Sequence, residues 1–600
     1  MKLKKFVSLM LVGSLALAMT ACGSGDSGSN SSSSAAGTES SAAQEESSEE
    51  AGGEESDAGE ASDAGEESDA GTEGGQAEAG GSKALQPFEE TVTIKMGHGL
   101  DPNTTFAEGE SVENSRYLQW LKDDMNIDVQ YDWICSNTDF SQKINLCIAS
   151  NTLPDAVNVG QTQFLAMLKY DQIQPLTQVF EEYASDRLKQ YVNSGGEALM
   201  DAISSNGEMY AIPAPNLTAS GVNTMWIRQD WLDELGLEVP RTVDEVFDVA
   251  KKFVEAKLGG DNTIGIIGPA SGDQLIARGQ NRWGLDPIFG AYNSYPEYWL
   301  QGENGEVLYG SVQPETKEAL AKLAEMYAAG VIDPEVFVRS DALEPVTAGR
   351  AGIFFGPWWC GYTVDSVTLD GSQEWMAYMA PLASDGKFYS PMSDPTTQYV
   401  CVRKGYEHPE VAVQIINYLI ANEQQWTNEG KTADTSTSAV YPLFNVYDNA
   451  DEIEYSYEWL KKFNLGEVKK EDVDITGRKL LQGDLDAIEV LKKEPKDDFS
   501  LEYWDLENEI ADSNIPRLVS IMVGARPLME EGYEPIYNIY SGQTDTMATK
   551  WANLEKLEEE TFAKIILGQA PVDEFDNFVT KWYAEGGQEI VDEVTAAVNE

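Results

Sequence analysis

Residues 348–362, AGRAGIFFGPWWCGY, carry the most conspicuous chemistry of the chain. An apolar strand is stopped by Pro357, which cannot donate to a sheet ladder, and two indoles, Trp358 and Trp359, stand at the break. Paired indoles at a strand end offer flat apolar faces with one N–H each, a surface for noncovalent binding. Polar side chains that could complement them follow other strand-like segments. They are His98 in GHG, Asn158, Gln161 and Thr162 in AVNVGQT, Asn216 after Ala214-Pro215, and Arg282 beside Trp283 in QNRWGLDPIFGAY. Trp226, in TMWIRQDW, reads either as a lining residue or as the core of a strand. Bond-making motifs are missing: there is no GxSxG, no HExxH and no P-loop. With two histidines and five cysteines without a CxxC, a His/Cys metal site is not expected, nor is any cofactor. Cys135, Cys147, Cys360 and Cys401 allow three disulfide pairings or four free thiols, and the sequence does not choose.

The N-terminus says where such a surface would be displayed. Lys2, Lys4 and Lys5 precede an apolar run from Phe6 to Met19, too short to span a bilayer. The run closes on LAMTACGSG, which looks like a bacterial lipobox with Cys22 as the acylated first residue; the plainer reading is a signal peptide with a chance cysteine. A diacylglyceryl or palmitate-type anchor on Cys22 would hold the chain on the outer face of a membrane. Gly23 to Ser82 is Ser, Gly, Ala, Glu and Asp without an aromatic, Lys or Arg, so it buries too little to offset its ordering entropy. Such a tether, residues 23–84, spans roughly 40–50 Å, more if its charges repel.

Of the 102 acidic residues 16 lie in this tether, and three of the 41 basic ones lie in the leader. The body is left with 86 acids against 38 bases, a net of −48. A surface so acidic argues against nucleic acid and anionic lipid as partners.

The elements that must position the loops alternate. ETVTIKMGHG reads as strand, SVENSRYLQWLKDDMN as amphipathic helix, NIDVQYDWIC as strand, FSQKINLCIAS as helix and NTLPDAVNVG as strand: an α/β pattern with parallel pairing. RTVDEVFDVAKKFVEA opens with a capping box, Thr242 and Glu245. QPETKEALAKLAEMYAAGVIDP has Pro314 at its first turn and Gly330 as its stop. The tail reads as two helices separated by Gly586-Gly587, whereas about 428–535 shows no regular period.

The order TLPDAVNV, GEMYAIPAPN, NTMWIRQDWLDELGLEVPRTVDE, YAAGVIDPEV and AGRAGIFFGPWW resembles the family 1 extracellular solute-binding proteins of ABC importers. The closest branch in character is the long lipoproteins of Gram-positive type associated with oligosaccharide uptake. The resemblance implies a two-lobed, type II periplasmic-binding-protein-like α/β fold with a hinge. Lobe 1 would be 85–216 plus about 386–440 and lobe 2 would be 217–385 plus about 441–600. It implies a monomer that takes an oligosaccharide in its cleft and meets ABC permease subunits at the membrane. Trp358 matches a sugar-stacking tryptophan of the maltodextrin-binding member. An extended backbone would then turn Trp359 away into packing, and Asn216 falls near a sugar-contacting carboxylate. Asp155 is read as bracing its turn. Competing readings are a lipoprotein glycoside hydrolase, whose carboxylate pair the sequence does not rule out, and a binder of a non-sugar ligand such as a peptide.

Overall fold

The computed structural model describes residues 83–277, 281–302, 304–430 and 437–599. The leader, Cys22 and the tether through Ser82 lie outside the described residues. Two sheets organise the rest. The first has five strands, in the spatial order Ile127–Ser136, Val92–Leu100, Ala156–Val159, Tyr399–Val402 and Ile212–Pro213. Its first three strands pair in parallel through the crossover helices Arg116–Met125 and Phe140–Ser150, as the alternating pattern predicts. Tyr399–Val402 arrives from a distant part of the chain and pairs antiparallel to Ala156–Val159. Asp155 binds this junction: its carboxylate accepts from the Lys95 amide at 2.9 Å and from the Arg403 guanidinium at 2.7 Å.

The second sheet orders Trp375–Tyr378, Thr224–Arg228, Ala351–Gly356 and Ile264–Ile266. Thr224–Arg228 runs antiparallel to both neighbours, whereas Ala351–Gly356 and Ile264–Ile266 are parallel. Both faces are covered, so every residue of Ala351–Gly356 is buried. Side chains of alternate parity enter different cores. Met225, Ile227, Ile353 and Phe355 pack with the helices Val243–Ala256, Pro314–Ala328 and Met547–Ile566. Trp226 and Phe354 face Glu452–Asn464, Leu481–Leu491 and Ala511–Val519. From 453 onward the irregular stretch of the sequence is therefore one lid of this sheet, built of short helices that lack side-chain N-caps.

Local signals land where they act. Thr242 Oγ1 accepts from Glu245 N at 3.3 Å while Glu245 Oε2 accepts from Thr242 N at 3.0 Å, closing the capping box. Pro314 starts its helix, and Gly586 takes φ 133°, a conformation that separates Glu574–Trp582 from Gln588–Asn599.

The cores divide the chain into two lobes. The first core draws on residues 94–214 and 399–447, the others on 219–392 and 453–594. Phe388 and Met392 pack in the second of these groups, and Tyr441 and Tyr447 in the first. The first crossing touches both of the others. Asn216 N donates to Pro395 O at 2.9 Å, Asn216 Nδ2 to Asp394 O at 2.8 Å, and Thr218 N to Ala450 O at 2.9 Å.

Glu454 sits just past the third crossing, against the Ala219 backbone. Burial raises its carboxyl to about 7, assisted by Asp451 and opposed by Arg478, and its buried Oε2 has no hydrogen-bond partner. A carboxyl whose folded pKa exceeds its unfolded value binds its proton more tightly in the fold, so stability declines as pH rises from about 4.5 to about 7. Glu454→Gln is expected to raise the urea midpoint at pH 8 and to leave it nearly unchanged at pH 4, measured by denaturation at both values.

Candidate functional site

Where sheets end, loops replace ladder, and ligands collect outside the carboxyl ends of strands. Ala351–Gly356 ends at Pro357 and turns at once into a short 3-10 helix, Trp358–Gly361. The chain does not stay extended here, so the expected alternation of the two indoles does not follow, and both meet the second lobe's core. Trp358 is only 6% exposed, lies in the second lobe's core and donates its indole N–H to Ser220 Oγ at 3.2 Å. Trp359 is the indole left partly open. The turn is clamped from behind by Gly524, where a Cβ would stand 2.0 Å from the Trp358 carbonyl oxygen, so only glycine admits this approach. Trp226 is likewise core: it is fully buried and stacked on Phe354 at 6.0 Å with rings 3° apart.

Arg282 lies over Trp359, its guanidinium 5.9 Å from that ring and 5.4 Å from Trp283, with Nη1 donating to Thr363 Oγ1 at 3.0 Å. Trp283 is buried and holds φ 77°, a left-handed backbone that a bulky side chain adopts only when its surroundings impose it. Arg282, Trp283 and Trp359 therefore form one group at the end of the second sheet.

On the first lobe, His98 Nε2 donates to Ala439 O at 2.9 Å and its ring lies 5.1 Å from Tyr131. Burial holds its pKa below the usual imidazole range, against the pull of that carbonyl. Asn158 Nδ2 donates to Asn445 Oδ1 at 2.8 Å and to Phe444 O at 3.3 Å. Asn158 and Asn216 thus hold the segments around the crossings, and the structure does not bring either against the indole group.

Gln161 and Thr162 do line a cavity, of about 580 Å³, which receives residues from both lobes. The first lobe supplies Gly160, Gln161 and Thr162 at the start of the helix Gln161–Lys169, whose N-cap glycine brings no side-chain cap. The crossing supplies Ser393, Asp394, Thr396 and Thr397. The second lobe supplies Trp299, Tyr540 and Trp551 with the amides of Asn538 and Gln543. Trp551 is partly exposed and backed by the buried Trp299 at 6.2 Å and Tyr309 at 5.4 Å, which fix the plane of its ring. Ser541 Oγ donates to Asp394 Oδ1 at 3.2 Å and receives Asn538 Nδ2 at 3.2 Å, so the polar rim is linked across the wall. A larger groove of about 1050 Å³ lies beside the edge strand Trp375–Tyr378, but its lining belongs wholly to the second lobe and no lobe movement could close it.

Sequence reasoning missed Trp299, Tyr540 and Trp551. Trp299 lies about 250 residues before the other two; the available signal was EYWLQ and TKWANLEK, each setting a tryptophan among polar residues. Among the described residues no group of three or more His, Cys, Asp or Glu is placed to hold a metal ion. The cysteine question is settled: Cys135, Cys147, Cys360 and Cys401 are free thiols, and burial pushes Cys360 up to about 12.

Comparison with known proteins places this geometry. The family described as bacterial extracellular solute-binding protein matches residues 108–426, more than half of the chain, and the chain belongs to it. The fructooligosaccharide ABC transporter substrate-binding protein FusA of Streptococcus pneumoniae is 27% identical over 305 residues, 48% of this chain and 53% of FusA. The match thus spans about half the length of that relative. The polygalacturonan/rhamnogalacturonan-binding protein YtcQ of Bacillus subtilis is 22% identical over 487 residues, covering 76% of this chain and 82% of YtcQ. Among solved structures, an HMO-binding, ABC-transporter-associated solute-binding protein of Bifidobacterium longum infantis shares the fold with a TM-score of 0.51 at 15% identity. It covers 84% of this chain and 98% of that one. The fold is the two-lobed α/β arrangement of type II solute-binding proteins.

Trp358→Ala is expected to lower the unfolding free energy of the ligand-free chain by about 3–5 kcal/mol, the cost of truncating a buried indole. Trp359→Ala should cost clearly less. Urea denaturation of the two variants side by side checks which indole is the more deeply packed.

Proposed function

We propose that the chain captures an oligosaccharide in the cavity between its lobes and hands it to the permease subunits of an ABC importer, acting as a monomer tethered through a lipid on Cys22. The observation that carries this reading is the composition of the cavity wall. A rigid indole, Trp551, faces a rim of amides and hydroxyls contributed by both lobes. Sugar rings present a C–H face that stacks on an indole and a hydroxyl edge that needs planar hydrogen-bond partners. Because Gln161 and Thr162 come from one lobe and Trp551, Asn538 and Gln543 from the other, a bound ligand touches both and favours the closed arrangement. The volume, about 580 Å³, lies in the range of pre-formed small-ligand sites. FusA and YtcQ, both named for glycan binding, support the ligand class. The leader ending in Ala-Cys22-Gly-Ser supports the anchor, and no described helix is long and apolar enough to cross a membrane.

The group of Arg282, Trp283 and Trp359 is assigned to the same cleft, at the carboxyl end of the second sheet, as a second contact surface for the ligand. Lobe 1 comprises 85 to about 216 and about 393–447, and lobe 2 comprises about 217–392 and about 448–600. Binding without turnover is the expected activity, in line with a family of binding proteins.

Calorimetry against an oligosaccharide panel, with product analysis after long incubation, tests the assignment. Binding with the glycan recovered intact is expected, and hydrolysis of any panel member would identify an enzyme instead. Trp551→Ala is expected to weaken that binding by about tenfold to a hundredfold, by loss of a stacking platform, with little change in the ligand-free melting temperature. Unchanged affinity would remove the cavity from the assignment.

A further inference from the structure

We infer that the loop 474–480 of the second lobe clasps the first lobe, with Lys479 as a positioning residue that keeps the two walls of the cleft assembled for capture. This role rests on the two-lobe, ligand-capturing reading above.

The loop is rooted in the second lobe. Val473 and Leu481, at its two ends, are buried in that lobe's core. The Tyr455 hydroxyl donates to Asp474 O at 2.8 Å. Arg478 is buried, donates to Asp451 Oδ1 and Glu452 Oε2 at 3.0 Å each, and lies 4.1 Å over the Tyr455 ring. From these anchors the loop reaches across. Lys479 Nζ lies 2.7 Å from Glu423 and 3.4 Å from Asp448, and 5.9 Å from the centre of the Tyr191 ring. Glu423 follows Leu419 of the first core on the helix Glu410–Gly430, and Tyr191 is buried in that core. Asp448 belongs to the third crossing. One ammonium therefore ties the second lobe to the first and to the chain that joins them.

Gly477 makes the approach possible. It takes φ 73°, and Arg187 of the first lobe fills the space a side chain would need, since a Cβ there would stand 1.2 Å from Arg187 Nη1. Arg187 also lies 5.4 Å from the Tyr191 ring, so that ring meets a cation from each lobe. The contact continues along the third crossing. Asn449 Nδ2 donates to the Gly477 carbonyl at 3.1 Å, and Ala450 N donates to Ser194 Oγ at 2.7 Å.

Clasp and cavity occur in the same arrangement of the lobes. Gln161 and Thr162 of the first lobe and Trp551 of the second line the cavity while the clasp is made, and none of Arg187, Tyr191, Glu423, Gly477 and Lys479 is part of that lining. An interaction present when the walls are assembled and lost when the lobes part raises the fraction of chains ready to bind, and apparent affinity follows that fraction. An isolated, exposed ion pair contributes little. This one is partly buried, shared between two carboxylates and laid against an aromatic ring. Burial works against the Lys479 ammonium, yet Asp448 and Glu423 hold its pKa above the ordinary lysine value, so the cation persists.

Pulsed electron resonance on the full chain, with spin labels at the exposed Tyr170 of the first lobe and Val338 of the second, reads the distance between the lobes without ligand. The unaltered chain and Lys479→Arg should each give one narrow distribution. Lys479→Met and Gly477→Ala should each add a second, displaced population, with folding checked by circular dichroism. Identical distributions in all four would overturn the proposal while leaving the sugar-binding reading in place. A second arm is calorimetry with fructans, α-glucans, β-glucans, xylans and oligogalacturonate, using whichever binds the unaltered chain. Lys479→Met should weaken that binding about threefold to tenfold, and Lys479→Arg should retain most of it. Unchanged or tighter binding by Lys479→Met would show that the clasp does not favour the assembled cleft, and would sink the proposal. Absence of binding by every glycan would remove the sugar-binding reading, and the distances would still decide the clasp.

Discussion

Of the three strands of chain that pass between the lobes, the first is bonded to both of the others, and the rest of the molecule depends on that bundle. Asn216 spends its backbone amide on Pro395 and its side-chain amide on Asp394, and Thr218 reaches Ala450. Each lobe is assembled from discontinuous pieces of sequence, so neither core can be completed until the chain has gone over and come back. Tyr399–Val402 illustrates the cost of this arrangement. It finishes the first sheet only after about 180 residues of the second lobe have intervened, and long-range pairing of this kind is slow to form. The compensation is mechanical. Hinge motion can be taken up where backbone pairs are few, while the two sheets move as bodies.

Much of the architecture was legible in the sequence because its signals are local. The capping box at Thr242 and Glu245, Pro314 at a helix start, and the glycine break at Gly586 each act within a few residues of themselves. The alternation of strand and helix from 92 to 159 is equally short-ranged, and the parallel pairing follows from it. The double tryptophan shows where such reasoning stops. Strand parity carries through Gly356, but Pro357 leads into a 3-10 turn, and the period that assigns faces changes at that residue. The pair was found, but the face that each indole takes was not. Trp299, Tyr540 and Trp551 were beyond reach for a different reason. Their meeting is set by helices of the second lobe stacking on its sheet, and nothing within either segment encodes the other.

Acidity has two scales in this molecule. At the level of the whole body it is a solvated surface, with lysines and arginines scattered among more numerous carboxylates in exposed pairs that contribute little individually. In the cleft the same residue type is held by hydroxyls and by strained backbone, as at Glu558 and Glu297. Burial and orientation, and not composition, separate a solvated surface carboxylate from one held in place by the fold.

The free thiols have a consequence for how the chain reaches its working place. Cys147, Cys360 and Cys401 are sealed inside the two lobes, and Cys135 alone of the four is partly open. No covalent crosslink joins the described segments, so hydrophobic packing and the crossing bundle must supply all of their cohesion. Maturation on the far side of a membrane then needs no oxidising partner, no isomerase to correct mispaired sulfurs, and no particular redox poise. A cell lacking all three could still export and use this polypeptide, in air or without it.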